Sequence, residues 1–302
     1  MEHSGPPKLS IAIPLATDLQ PDLQAPSHAR PRLLVSVRDS HEARLARQSG
    51  VDWIDLKNPA NGALGAADEA TAAAVARELQ ATGDSAPSPN RLVSAAVGEL
   101  RQAPAEAARS LARYFPLLKV GLSGLRDHQD WPTQLAAFST TVQLAGAQLV
   151  PVIYADHVAC HAPAPAQVIE VARTLTNLAV GLPADLPVTT PSGPAADQVA
   201  VRSDGTTPLS RASYLLIDTY TKDGRRLLDW MDRAELAALV QQAAAGGRRT
   251  VVAGSLAVQD LALLMTLPIA AIAVRGAVCG STRRSALCPE KLRSWVELFS
   301  GR

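Results

Sequence analysis

Alternation constrains this chain more than any other feature. Eight short runs rich in leucine and β-branched residues read as strands, at 32–37, 51–57, 92–96, 116–120, 148–155, 214–218, 250–253 and 271–275. Each is followed by a stretch with helical spacing, mostly alanine-rich, at 40–48, 67–80, 105–114, 131–146, 164–181, 233–245, 258–267 and 290–299. Strands apolar on both faces, each followed by a helix, are the mark of a parallel sheet covered by crossover helices. Eight such units predict an α/β fold, a single-domain (β/α)8 TIM barrel, which typically takes roughly 250 residues. A doubly wound open sheet would alternate too, but no strand run leads into the GxGxxG turn of a dinucleotide site. Local signals agree: Ser40 reads as the cap of the first helix, with Glu42 in its first turn, and Gly50 as its stop.

The chain has 302 residues, more than the barrel needs, and the surplus sits in two proline-rich segments. Residues 1–30 read as an N-terminal extension, with 9–15 as a short strand laid on the domain. Residues 182–212 read as an inserted loop before strand six, because structureless loops this long are uncommon inside compact domains. The catalytic barrel then spans 31–302.

Charge narrows the partners. Lys and Arg number 29 against 28 Asp and Glu, which argues against a nucleic-acid binder or a polybasic membrane patch. Three cysteines, Cys160, Cys279 and Cys288, are too few and odd in number for a disulfide framework, which points to the reducing cytoplasm. No secretory signal is visible, and the longest uncharged apolar stretch, 261–274, is broken by Pro268 and falls short of the ~20 residues a bilayer requires. A cytoplasmic protein acting on a small molecule is expected. The subunit number is open, a homo-oligomer included.

Barrel active sites lie at the C-terminal ends of the strands. There the second strand carries Asp55 and Lys57, which share a face at i and i+2; the fourth carries Lys119; the sixth ends in Asp218, with Lys222 just beyond. A free lysine has a pKa of about 10.4, and a neighbouring ammonium or loss of water favours its neutral, nucleophilic form. Such an amine attacks a carbonyl to form an imine that acidifies the adjacent C–H bond, and nearby carboxylates and lysines move the protons. The five residues therefore suit carbonyl condensation or dehydration with no metal or cofactor. After strands seven and eight, Gly254-Ser255 and Arg275-Gly276-Ala277 stand where this fold commonly holds a phosphate. His157, Cys160 and His161 cluster after strand five, but no second His/Cys group completes a tetrahedral set, so no metal site is expected.

These residues also form a longer pattern. Leu33-Leu34-Val35-Ser36-Val37, Asp55-Leu56-Lys57-Asn58-Pro59 and Gly62-Ala63-Leu64-Gly65-Ala66 are followed in order by Lys119-Val120-Gly121-Leu122, Tyr154-Ala155-Asp156, Asp218-Thr219, Lys222-Asp223-Gly224, Ala253-Gly254-Ser255 and Val274-Arg275-Gly276-Ala277. From about residue 32 to 299, omitting 182–212, the chain resembles the (5-formylfuran-3-yl)methyl phosphate synthases, also called 4-(hydroxymethyl)-2-furancarboxaldehyde phosphate synthases. The resemblance implies a lyase that joins two molecules of glyceraldehyde 3-phosphate, with loss of phosphate and water, toward a methanofuran-type one-carbon carrier. It implies Lys57 as the imine lysine, with Asp55, Lys119, Asp218 and Lys222 around it. The stretch 279–283 departs from the family pattern, being shorter in glycine and lacking its lysine. Two other readings fit the same residues: a lysine-dependent aldolase on another phosphosugar, and a non-catalytic barrel that binds one.

Overall fold

The computed structural model describes residues 30–81, 91–180 and 212–300. The expected extension up to residue 29, the polar loop at 82–90 and the insertion from 182 to 211 lie outside these residues. Eight strands are present: β1 (Arg32–Val37), β2 (Trp53–Leu56), β3 (Leu92–Glu99), β4 (Leu117–Gly121), β5 (Gln148–Tyr154), β6 (Ser213–Asp218), β7 (Arg248–Val252) and β8 (Ala271–Val274). They alternate with helices α1 (Ser40–Gln48), α2 (Glu69–Gln80), α3 (Ala105–Ala112), α4 (Trp131–Leu144), α5 (Pro165–Val180), α6 (Arg233–Ala245), α7 (Leu261–Leu264) and α8 (Pro289–Ser300). All neighbouring strands are parallel, and β8 pairs with β1, so the sheet closes into the expected barrel.

Capping chemistry explains the helix starts. Asp39, not Ser40, caps α1: its carboxylate accepts the Glu42 N–H at 2.9 Å. Asp68 and Asp232 do the same for α2 and α6, accepting from Thr71 and Glu235 at 2.8 and 2.9 Å. Glu42 does more than suit the helix dipole, since it is buried and ion-paired with Arg275 at 2.8 Å.

Two boundaries moved for identifiable reasons. β7 begins two residues early because Arg248 is buried there, its guanidinium donating to the Ala172 and Tyr214 carbonyls. An apolar criterion cannot see a charged residue satisfied in this way. The helix expected over 258–267 is a 3-10 turn, Val258–Asp260, followed by the single turn α7. The Asp260 carboxylate sets that tighter start by accepting the Ala257 N–H at 2.8 Å and pairing with Arg226 at 3.0 Å.

One apolar layer lies between strands and helices and a second fills the barrel. Inside, Trp53 and Tyr214 pack edge to face at 5.0 Å between ring centroids near the strand N-termini. Leu34, Leu117, Val150, Val152, Leu216 and Val251 continue the filling. Toward the C-terminal end, β8 and the residue after β7 present only Ala273 and Ala253, and there the packing opens into a cavity of about 310 Å³.

Candidate active site

The cavity sits at the C-terminal mouth and is walled by Lys57, Lys119, Asp218 and Lys222 among others. Below it lies Asp55, fully buried. Its carboxylate accepts from the Ser36 hydroxyl at 3.0 Å and the Ser94 hydroxyl at 2.7 Å, and pairs with Lys119 Nζ at 2.5 Å. The Ser94 hydroxyl is itself held by the Trp53 indole N–H at 3.0 Å. Three strands thus fix one carboxylate, and that carboxylate fixes the Lys119 ammonium. The register makes this possible, since Ser36 stands opposite Asp55 and Asp55 opposite Ser94.

A second pair stands at the rim. Lys222 Nζ reaches Asp218 Oδ1 at 2.9 Å and the Thr219 hydroxyl at 3.0 Å, while the Thr219 N–H donates to the same carboxylate at 2.7 Å. Burial alone would raise the Asp218 carboxyl pKa. The Lys222 and Lys57 ammonium groups and the hydrogen bonds outweigh it and hold the pKa below the ordinary range. The loop carrying Lys222 is anchored from β5: Asp156 accepts the Tyr220 and Thr221 N–H groups, both at 2.7 Å.

Lys57 differs from the other two lysines. Among the described residues no hydrogen bond or ion pair reaches its Nζ, although the side chain is buried. Its pKa falls from 10.5 to about 7. Removal from water is the largest cause; the Lys119 and Lys222 charges push the same way, and Asp218 and Asp55 oppose them. Of the two causes expected, loss of water dominates, because the effect of the cationic neighbours is offset by the aspartates that partner them. Dehydration does most of the work.

Gly254, Ser255, Gly276 and Ala277 line the opposite wall of the same cavity. Gly254 has φ +112° and Ser255 φ +53°, a left-handed pair that is unstrained only at the glycine. Arg275 lines this wall too, but the protein itself already engages its guanidinium. Its guanidinium is buried and committed to Glu42 at 2.8 and 3.3 Å, and to the carbonyls of Ser36, Arg283 and Ser285 at 2.8, 2.7 and 3.2 Å. It braces the loop after β8 against α1 and β1. Arg283, which the sequence reading passed over, lines the cavity as Arg275 does, but among the described residues the protein takes up only one of its guanidinium N–H groups, through the Gly62 carbonyl.

Ser36 and Ser94 were also passed over as site residues, though both are polar interruptions at inward-facing positions of otherwise apolar strands. Glu99 is another such residue. It accepts the Tyr154 hydroxyl at 2.6 Å and the Ser123 N–H at 2.9 Å beside a separate, open cleft. Cys160 and His161 border that cleft in a turn, and burial pushes the Cys160 thiol up to about 12. Among the described residues no three His, Cys, Asp or Glu side chains gather in a way that could hold a metal.

The model of one family, described as 4-HFC-P synthase, matches residues 33–180 and 201–296. The chain belongs to that family. Membership accounts for the whole barrel, since the matched range runs from β1 into α8. Family relatives include the (5-formylfuran-3-yl)methyl phosphate synthase of Methanopyrus kandleri, 29% identical over 279 residues that cover 90% of this chain and 100% of that protein. The protein of the same name from Methanococcus maripaludis is 30% identical over 260 residues, 84% of this chain and 92% of its own. Among solved structures, phosphoribosyl anthranilate isomerase from Thermus thermophilus overlays with a TM-score of 0.52 at 16% identity, covering 90% of this chain and 100% of its own. At that identity it speaks for the barrel fold alone. No helix among the described residues is long and apolar enough to cross a membrane.

Proposed function

We propose that this chain is a (5-formylfuran-3-yl)methyl phosphate synthase that condenses two glyceraldehyde 3-phosphate molecules through an imine on Lys57. The single observation that carries the reading is the Lys57 amine itself, buried, unpartnered among the described residues and with its pKa brought to about 7, on the wall of a cavity of about 310 Å³. Near neutral pH a large fraction of such an amine is unprotonated and nucleophilic. Attack on the carbonyl carbon forms a carbinolamine, water leaves, and the protonated imine draws electrons from the neighbouring C–H bond. The resulting enamine carbon then bonds to the carbonyl carbon of the second triose. Ring closure and loss of water and phosphate complete the furan, and hydrolysis of the imine releases the aldehyde and returns the Lys57 amine.

Each step moves protons, and two fixed ion pairs stand ready to do so. Lys222 with Asp218 lies at the rim and Lys119 with Asp55 at the floor, and both pairs are given the proton transfers around the Lys57 imine. Gly254, Ser255, Gly276 and Ala277 line the same cavity, and in this reading their backbone N–H groups would take the phosphate. The names borne by the relatives support the furan phosphate product.

Incubation with glyceraldehyde 3-phosphate alone tests the reading. It should yield a furan chromophore with inorganic phosphate, and borohydride added during turnover should fix the substrate carbons to Lys57. An acyclic adduct without phosphate release would make the chain an aldolase, and no trapped adduct would leave a phosphosugar-binding barrel.

A further inference from the structure

Arg283 stands in the loop between β8 and α8 and is used by none of the steps above. Its main chain is fixed from behind, since Arg275 Nε donates to the Arg283 carbonyl at 2.7 Å and Arg275 is itself locked to buried Glu42. Its side chain extends across the mouth, where Nη2 donates to the Gly62 carbonyl in the loop after β2 at 3.0 Å. There it lines the cavity that holds Lys57, Lys222, Gly254 and Gly276.

Its charge is poorly compensated. Burial lowers the Arg283 pKa, and the carboxylate whose field favours its cation is Asp218, already bonded to Lys222. Among the described residues no carboxylate forms an ion pair with Arg283. A guanidinium carries five N–H donors in a planar fork, and Gly62 takes one. The remaining donors stand on the wall of the cavity, where an anion can meet them. A phosphate monoester is the anion whose oxygens match the fork bidentately.

We infer that Arg283 recognises the phosphate ester of the substrate, completing with the Gly254-Ser255 and Gly276-Ala277 backbone a cradle whose guanidinium component comes from Arg283 rather than Arg275. The inference rests on the proposed phosphorylated substrate. It adds a specific consequence: the Gly62 bond ties the phosphate cradle to the loop that follows Lys57, so the two ends of the substrate are gripped by one connected frame.

The test compares the borohydride trapping rate of wild-type, Arg283→Gln and Arg283→Lys full-length chains with glyceraldehyde 3-phosphate and with unphosphorylated glyceraldehyde. The expected result is a roughly ten- to hundredfold rise in the half-saturating concentration of the phosphorylated aldehyde for Arg283→Gln, the range a charged hydrogen-bond pair commands. Arg283→Lys should recover part of it, and glyceraldehyde should react equally with all three. Equal losses with both aldehydes would reduce Arg283 to a structural tie between loops and overturn the assignment. So would an unchanged half-saturation, including the case in which only inhibition by inorganic phosphate weakens, which would mark a site for the released product. If the wild-type chain is trapped by neither aldehyde, the imine proposal fails on its own. Calorimetric binding of glyceraldehyde 3-phosphate to the same three chains then decides Arg283 by the same shift.

Discussion

Lys119 Nζ lies 2.5 Å from Asp55 Oδ2, and both side chains are buried. The pair is costly to break from one side. Asp55→Ala leaves an ammonium in the barrel interior without its counter-charge, and truncation of one partner in a buried pair destabilises by about 3–5 kcal/mol. Urea denaturation should show that loss. The double variant Asp55→Leu with Lys119→Met should recover most of it, because an apolar pair carries no desolvation cost. Equal destabilisation of the single and double variants would mean that packing, not charge, holds this floor.

The neighbours of Lys57 should tune its reactivity in opposite directions. Imine trapping should rise with pH to a midpoint near 7, following the amine's pKa. Lys222→Met removes a repelling charge and should move that midpoint up. Asp218→Asn removes the largest opposing attraction and should move it down. Rate profiles of borohydride trapping read both shifts, and a common direction for the two variants would contradict the electrostatic account.

Much of this was legible in the sequence because a barrel strand buried on both faces leaves no ordinary place for charge. Asp55, Lys57, Lys119 and Asp218 stood out against apolar runs, and the structure brings them to one mouth. What stayed hidden follows from tertiary pairing. Arg275 sits at the expected strand end and lines the cavity, yet Glu42, far away in sequence, engages its guanidinium. Arg283 lies in the stretch that departs from the family pattern, so its reach across to Gly62 shows only in the tertiary structure. Arg248 delayed the predicted start of β7 because two carbonyls that satisfy it belong to α5 and β6.

Gly121 should not tolerate a side chain. A Cβ there would stand 2.2 and 2.4 Å from the two Glu99 carboxylate oxygens and 2.4 Å from the Tyr154 hydroxyl. These atoms occupy the inward position two residues beyond Lys119, with the Glu99 carboxylate held from a second side by the Ser123 N–H. Gly121→Ala must displace that hydrogen-bonded pair, at about 1–3 kcal/mol for overpacking. Thermal denaturation would register it as a lower midpoint. A variant as stable as wild type would show that Glu99 and Tyr154 can move aside freely.

The dry lysine at the centre of the site should itself weaken the fold, in a manner set by pH. Unfolded, Lys57 has a pKa near 10.5; folded, near 7. Between those values the unfolded chain binds more protons than the folded one, so stability rises with pH across the window. Below about pH 7 both states are protonated and the cost of burying the ammonium is fully present; above about 10.5 both are neutral and it vanishes. Lys57→Met fills similar space without the charge, so it should raise the melting temperature most at pH 6 to 7, with the gain shrinking toward pH 10. Loss of Lys57 also removes a charge that holds the Asp218 carboxyl low, but Lys222 remains paired with it at 2.9 Å. The comparison of wild type and variant across pH 6 to 10 is therefore dominated by Lys57. A gain independent of pH would mean that the amine stays hydrated in the folded chain, and with that its activation by dehydration would fall.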